Sequence, residues 1–297
     1  MNDSEFTPQP TKDGSYTFFS QEFQETFHSS FGAKQEAEVK YIEPCAIASL
    51  AAQKSTIRLL DVCYGLGYNT AAALETIWSI NPSCSVELFA LEISAKIPIT
   101  AIEHNLLAQW QVSNAARSPV DKLLAQLSNK SLVKDEFFVG RLLLGDARQT
   151  VKTVAESNWY ADAIFLDPFS PPKCPQLWTV EFITLLTRCL APTGRLATYS
   201  CSAAVRTALL TTGLNIASVW GAGRIAPGTI AAFKYKNIPS LSRKEQEHLA
   251  TRAAVPYRDP NLQEQPEQII YRRQQEQQNS NLETASRWRK RWLKSYI

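Results

Sequence analysis

No run of about 18 apolar residues occurs in the 297-residue chain, so no membrane-crossing helix is expected. None of the six cysteines (Cys45, Cys63, Cys84, Cys174, Cys189, Cys201) falls in a C-x-x-C pair. The three histidines, His28, His104 and His248, stand far apart. These absences argue against a local zinc motif and a redox dithiol; the cysteines read as buried thiols of a reducing cytoplasm rather than a disulfide frame. The opening stretch MNDSEFTPQPTKDG is polar and carries no apolar signal core. A net charge of +3 is too small to mark a nucleic-acid partner by itself, so the placement of the charges matters more. What is present is 44% hydrophobic and 20% charged, enough to build a full core for one large domain, alone or with appendages.

The chain divides by pattern into three parts. Residues 1–43 form a polar tail and then SYTFFSQEFQETFHSSFGAKQEAEVKYIE, where aromatics mix with acids; this part is expected to be a hairpin or lid. Residues 44–236 alternate strand-like and helix-like segments. Strands are expected at 57–62, 85–91, 141–144, 162–167, 195–199, 214–220 and 229–235, and helices at 68–80, 98–110, 118–128, 147–157, 178–190 and 202–212. The alternation predicts an α/β fold with a mostly parallel seven-stranded sheet, a helical insertion at about 95–140 and an antiparallel edge hairpin at the end. Residues 237–297 are a Gln/Arg-rich extension that either wraps the domain or stays partly disordered. Its end, RWRKRWLKSYI, spaces Trp288, Trp292 and Tyr296 four apart among Arg287, Arg289, Lys290, Arg291 and Lys294. A helix there would dock by its aromatics, touch an RNA backbone or lie on an anionic membrane.

The densest chemical signal is LLDVCYGLGYNTAAALETI at 59–77. A strand ends at Asp61, Gly65 and Gly67 permit a tight turn, and a helix follows whose first N–H groups lack partners. That is a nucleotide-type cradle. The third glycine of a dinucleotide fingerprint is missing, its place being taken by Thr70, so the loop is closer to G-x-G-x-N. A plain strand–turn–helix connection is the competing reading.

Acids stand at or just after four successive strands: Asp61, Glu92, Asp146 and Asp167. In open α/β sheets ligands bind beyond the carboxyl ends of the strands. An acid after the second strand can hold both ribose hydroxyls, and one after the third can receive an adenine amino group. Single strand-end acids are ordinary turn chemistry; four beside a glycine loop favour S-adenosylmethionine over a dinucleotide. Asp167, in the stiff DPFSPP turn, is the catalytic candidate, placed to orient an amine or take its proton. Trp178 reads equally as a base-stacking or a core residue.

These stretches resemble the MnmC-like methyltransferase domains of tRNA 5-methylaminomethyl-2-thiouridine biosynthesis. The similarity lies in the opening DGSYTFFSQEFQETFHSSFGAKQEAEVKYIE, in DVCYGLGYNT, in FLDPFSPPKCPQLWT and in PTGRLATYSCSAAVRTALLTTGLNIASVWGAGR, covering about 13–235. The resemblance implies a Rossmann-like class I S-adenosylmethionine-dependent methyltransferase acting on the aminomethyl nitrogen of a tRNA wobble uridine. It implies cofactor contacts at Asp61, Gly65, Gly67, Asn69, Glu92, Asp146 and Glu36. It implies catalysis at Asp167 and substrate contacts at Lys173 and Glu38; Phe169 and Trp178, near Asp167 in sequence, are added as substrate candidates, and no metal is expected. The chain departs from the family in Asp-Pro for Asp-Gly at the catalytic turn and in a missing KRE after GAGR. The length leaves no room for the oxidase domain of the bifunctional members, so a separate enzyme is expected to supply the aminomethyl group. Competing readings are transfer of a methyl or aminopropyl group to another amine, or a non-catalytic binding module.

Overall fold

The computed structural model describes residues 7–110, 119–220, 226–234 and 240–294. Its centre is a sheet of β1 (Thr56–Val62), β2 (Ser85–Glu92), β3 (Leu132–Asp135), β4 (Phe138–Leu144), β5 (Ala161–Leu166), β6 (Leu190–Thr198), β7 (Asn215–Val219) and β8 (Gly228–Ala232). Their order is β7-β8-β6-β5-β1-β2-β4-β3. Strands β6, β5, β1, β2 and β4 are parallel, and β8 runs antiparallel between β6 and β7. The sheet is thus mostly parallel with an antiparallel edge hairpin, as the alternation implies. The expected seven strands become eight, because β3 folds back antiparallel on β4. As a short edge strand, β3 buries only Val133 and exposes Leu132, Lys134 and Asp135, so it carries almost no apolar pattern to read.

Helices cover both faces. One face holds α1 (Ala33–Ala37), α2 (Ile47–Gln53), α3 (Tyr68–Ile80), α4 (Lys96–Glu103) and α5 (Val120–Lys130). The other holds α6 (Ala147–Ala155), α7 (Val180–Arg188) and α8 (Ala203–Thr211). Helix α4 stops at Glu103 instead of continuing to 110, where Asn105 turns left-handed with φ 54°. The opening segment makes two small hairpins, Gln9–Pro10 with Tyr16–Thr17 and Phe19–Ser20 with Glu25–Thr26, before α1. A π-helical turn, Glu38–Ile42, follows and buries Lys40, whose Nζ donates to the carbonyls of Val219 and Ala226 at the base of the edge hairpin. The turn residues 221–225 of that hairpin, and the expected strand end at 235, lie outside the described residues.

The extension after 240 folds as α9 (Arg243–Leu249), α10 (Pro266–Asn279) and α11 (Ala285–Lys294). Ile269 of α10 and Tyr257 join the core on the α6–α8 face. Helix α9 is tied to the domain through Arg206 of α8, which is 3% exposed. Its guanidinium donates to Thr229 Oγ1 at 3.0 Å, Ser218 Oγ at 2.8 Å and Glu245 Oε1 at 2.9 Å. Burial opposes the charge on Glu245, but hydrogen bonds from Ser218, Ser242 and Arg206 win and hold its carboxyl at about 2. Removing one partner of a buried pair leaves the other uncompensated, so Arg206→Met should lower stability by about 3 kcal/mol. Because the Glu245 pKa is depressed on folding, its contribution is complete above about 4.5 and fades as pH falls toward 2. Denaturant melts of the two proteins should therefore converge across that window; a constant gap would contradict the ion pair.

Candidate active site

Parity along β1 sets the floor of the site. Ile57 and Leu59 pack on the α3 face, Leu60 and Val62 on the other. The same alternation turns Asp61 toward α3, where Thr70 Oγ1 donates to it at 2.7 Å. Asp61 is 0% exposed and does not line the cavity described below, which corrects its expected contact with the cofactor. It braces the first turn of α3 from beneath. Burial first, and then nearby Glu92, push its carboxyl up to about 7 against the hydrogen bond from Thr70.

The glycine loop turns as expected. Gly65 has φ 54° and Gly67 φ 81°, and a Cβ on Gly67 would lie 2.6 Å from the Tyr64 hydroxyl. The N–H groups of Cys63 and Tyr64 both donate to Leu91 O at 3.0 Å, pinning the loop to the end of β2. Glu92 completes the pin: it accepts from Gly65 N at 2.8 Å and from the N–H groups of Ile93 and Ser94 at 2.8 and 3.2 Å. Burial outweighs these bonds and raises its carboxyl above the usual range.

Beyond the strand ends lies a cavity of about 820 Å³. It is walled by Gly65, Glu92, Asp146, Asp167 and Phe169, and roofed by residues of the hairpin at 19–27. The sheet order puts it where successive connections diverge from β1, toward β2 on one side and β5 on the other, the switch point at which α/β sheets bind ligands. Glu22, Glu25, Glu36, Glu92, Asp146 and Asp167 face it, against Lys96 and His28. Such a lining favours a cation.

Asp167 follows β5 and, by the same parity as Ala163 and Phe165, turns to the α3 face. Its Oδ1 accepts from the Tyr41 hydroxyl at 2.5 Å and its Oδ2 from Asn69 Nδ2 at 2.9 Å. Desolvation is the largest influence and, with Glu36 nearby, drives the Asp167 carboxyl well above its usual range; Tyr41 and Asn69 pull the other way. Each hydrogen bond to a charged group is worth about 1.5–3 kcal/mol. Desolvating a buried ion costs several kcal/mol, which is why burial wins. Tyr41 is itself buried beside Asp167, which raises its phenol well above 10 and keeps it a donor.

The DPFSPP turn is clamped on both sides. Tyr199 Oη donates to Pro168 O at 2.9 Å. Phe169 stacks on Phe23 of the hairpin, centroids 4.3 Å apart, and meets Phe27 edge-on at 5.1 Å. Ser170 donates to Glu25 through its N–H at 3.0 Å and also through its hydroxyl. The expected lid is thus latched to the turn that carries Asp167.

Other expected contacts fall elsewhere. Trp178 is 0% exposed and its indole N–H donates to Phe169 O at 2.9 Å, so it supports the turn from below and offers no face to a base. Lys173 is exposed away from the cavity lining. Glu38 lies outside the lining and sits 4.0 Å from Lys34. Gly67 and Asn69 stand behind the wall, shaping the loop and holding Asp167. Tyr41, Tyr199, Phe23, Glu25 and Ser170 were not anticipated individually. For Phe23, Glu25 and Tyr41 the signal is the mix of aromatics and acids in the opening stretch; Ser170 sits in the proline-rich turn itself, and Tyr199 carries none.

The residues present fit S-adenosylmethionine. Glu92 keeps one acceptor position on Oε2 open toward the cavity, where a ribose hydroxyl would sit, Asp146 stands at the next strand end, and the glycine loop brings bare backbone to the cavity. Among the described residues no cluster of His, Cys, Asp and Glu could hold a metal ion, and no helix is long and apolar enough to cross a membrane. Fold and site are those of a class I S-adenosylmethionine-dependent methyltransferase. Residues 111–234 match a family described as S-adenosyl-L-methionine-dependent methyltransferase. A crystal structure of MnmC2 from Aquifex aeolicus superposes with a TM-score of 0.79 at 31% identity, over 94% of this chain and 88% of that one. An uncharacterized protein of Methanocaldococcus jannaschii is 29% identical over 89% of this chain and 70% of its own length. The tRNA 5-methylaminomethyl-2-thiouridine biosynthesis bifunctional protein MnmC of an Acidovorax strain is 26% identical over 69% of this chain, which spans 32% of that longer protein. The chain belongs to the MnmC-like S-adenosylmethionine-dependent methyltransferases.

Because Tyr41 lowers the Asp167 pKa, Tyr41→Phe should make that carboxyl titrate at still higher pH. Carbon NMR of aspartate-labelled protein, with Asp167→Asn to assign the signal, reads this directly. An unmoved or lower midpoint would contradict the hydrogen bond.

Proposed function

We propose that this methyltransferase acts on a primary alkyl amine, the aminomethyl group of 5-aminomethyl(-2-thio)uridine at a tRNA wobble position, yielding the methylaminomethyl nucleoside. The observation that carries the amine is Asp167: a carboxylate at a desolvated strand end, held on one oxygen by Tyr41 and on the other by Asn69. The tRNA assignment is supported by likeness to proteins named for that biosynthesis.

An alkylammonium with a pKa near 10.4 has no lone pair at neutral pH. The acidic lining draws it in as a cation. Desolvation lowers the amine's pKa while it raises that of Asp167, so the two approach each other and the proton passes to the carboxylate. When bound, S-adenosylmethionine supplies an electrophilic methyl group on a sulfonium. The neutral amine left beside Asp167 would present its lone pair to that methyl group and become a secondary ammonium on taking it. Tyr41 and Asn69 fix the direction from which the amine is held, and the Phe23–Phe169 stack excludes water. Gly65, Glu92 and Asp146 would hold the cofactor, with Glu36 shaping the cavity beside Asp167.

The basic end adds a second surface. Trp288 is 7% exposed and stacks on His248 at 4.4 Å, and Trp292 Nε1 donates to Glu247 at 2.9 Å. The aromatics therefore dock α11 on α9, and Tyr296 lies outside the described residues. Arg287, Arg289 and Lys290 remain exposed. In this reading they meet phosphates of the RNA.

The test is labelled S-adenosylmethionine with tRNA bearing 5-aminomethyluridine, beside unmodified tRNA and free polyamines. Label is expected in the wobble nucleoside of the modified tRNA alone. Label in small amines and not in tRNA would sink the substrate assignment. Asp167→Asn should slow transfer about 10³-fold, while calorimetry shows cofactor affinity held within about threefold. Charge reversal at Arg287, Arg289 and Lys290 should weaken tRNA binding most at low salt and flatten its salt dependence. An unchanged slope would remove α11 from the interface.

A further inference from the structure

We propose that Asp259, from the extension beyond the edge hairpin, is a positioning residue for the cofactor: it holds Arg148, and Arg148 holds the Asp146 carboxylate at the cavity wall. The chain of contacts is continuous. Asp146 caps α6, accepting from Arg148 N at 2.9 Å. The Arg148 side chain then folds back on it, with Nη2 2.7 Å from Oδ2 and Nε 3.1 and 3.2 Å from the two oxygens. The other side of the guanidinium faces the extension, where Nη1 donates to Asp259 Oδ2 at 2.8 Å and to Glu264 O at 2.9 Å. One planar group thus joins two carboxylates and leaves neither free to rotate.

Asp259 is built for this contact. It is 0% exposed. Its Oδ1 accepts from the N–H groups of Gln263 and Glu264 at 3.0 and 3.2 Å, so the carboxylate is fixed before Arg148 reaches it. Its own N–H donates to Glu181 Oε2 of α7 at 2.8 Å. Gln149 adds a further tie, donating to Leu262 O at 2.9 Å. A buried Arg148 with Asp146 alone would satisfy one edge of the guanidinium and leave the other without an acceptor. Burial opposes that charge, and the bonds from Asp146 and Asp259 together hold the guanidinium above its usual range. The side chain of Asp146 remains 36% exposed at the cavity wall. Its carboxylate plane is set from behind by a residue over a hundred positions later in the chain.

This inference rests on the cofactor class and not on the acceptor, so it stands or falls apart from the tRNA assignment. The probe is S-adenosylmethionine binding to the full chain by calorimetry. Asp259→Asn keeps the volume and the acceptor for Gln263 and Glu264 but removes the charge facing Arg148. It should weaken binding about tenfold. Arg258→Ala is the control, because it breaks the Arg258–Glu181 pair that ties the same segment to α7 without touching Arg148. It should lower the melting temperature and leave cofactor affinity within about twofold. In an Asp146→Asn background, Asp259→Asn should add less than about a twofold loss, since Asp259 acts through Asp146. Wild-type affinity in Asp259→Asn, equal losses in both segment variants, or additive losses in the double variant would each overturn the proposal. Should Asp259→Asn not fold, Arg148→Lys keeps the charge without the fork and carries the same expected tenfold loss.

Discussion

A half-buried carboxylate kept at the end of β5, on the wall of the cavity, is the constraint around which the rest of the molecule is arranged. Asp167 is costly to hold there, and three separated parts of the chain share in holding it. Asn69 comes from the first turn of α3, placed by the glycine loop. Tyr41 comes from the π-helical turn after α1, 126 positions earlier. The turn itself is gripped by Tyr199 at the end of β6 and supported by Trp178 from beneath. Loosening any one of these changes the hydrogen bonding or the hydration of a group whose usefulness depends on both. The Asp-Pro at this turn adds to the same effect, since proline fixes its φ and the carbonyl of Pro168 is the atom that Tyr199 holds.

The placement of the hairpin over the cavity follows from that arrangement. An acidic cavity open to water would let ions screen it and hydrate Asp167 back to an ordinary pKa. The hairpin that covers it is only two residues wide on each strand, too small to hold a fixed position by its own pairing. What fixes it is attachment to the turn it covers, by the Phe23–Phe169 stack and the Glu25–Ser170 bonds. The roof and the turn that carries Asp167 are therefore one mechanical unit.

Much of this was legible because it is local. The stretch from β1 through α3 carries a period-two apolar run, two glycines and a small-residue helix in sequence, and the helix lies at Tyr68–Ile80 as expected. Strand-end acids could be named because parity and the sheet rule are properties of a few neighbouring residues. What was not legible depends on depth or distance. Asp61 and Asp167 have the same residue type, parity and strand-end position, yet only Asp167 faces the cavity. Trp178 reads equally as a stacking or a core residue because a tryptophan near such a turn looks the same in sequence whether it lies above or below it. The pairing of Tyr41 with Asp167, of Arg206 with Glu245 and of Arg148 with Asp259 joins segments whose spacing carries no periodic signal.

The extension shows the same lesson in its last helix. Aromatics four apart among arginines allowed docking, RNA contact or a membrane surface, as if one face had to be chosen for one purpose. The folded helix separates them. Trp288 and Trp292 turn inward to His248 and Glu247, and Arg291 joins them by pairing with Glu247 and Glu283. That consumes the apolar stripe which a membrane-surface helix would need to bury in lipid. Arg287, Arg289 and Lys290 gain a rigid base without being neutralised by it. A cationic surface held in one orientation loses less conformational freedom on meeting a phosphate than a free tail would. The docking of the tryptophans is therefore what holds the outward arginines in one orientation, and the proposed RNA contact would use the opposite side of the same helix.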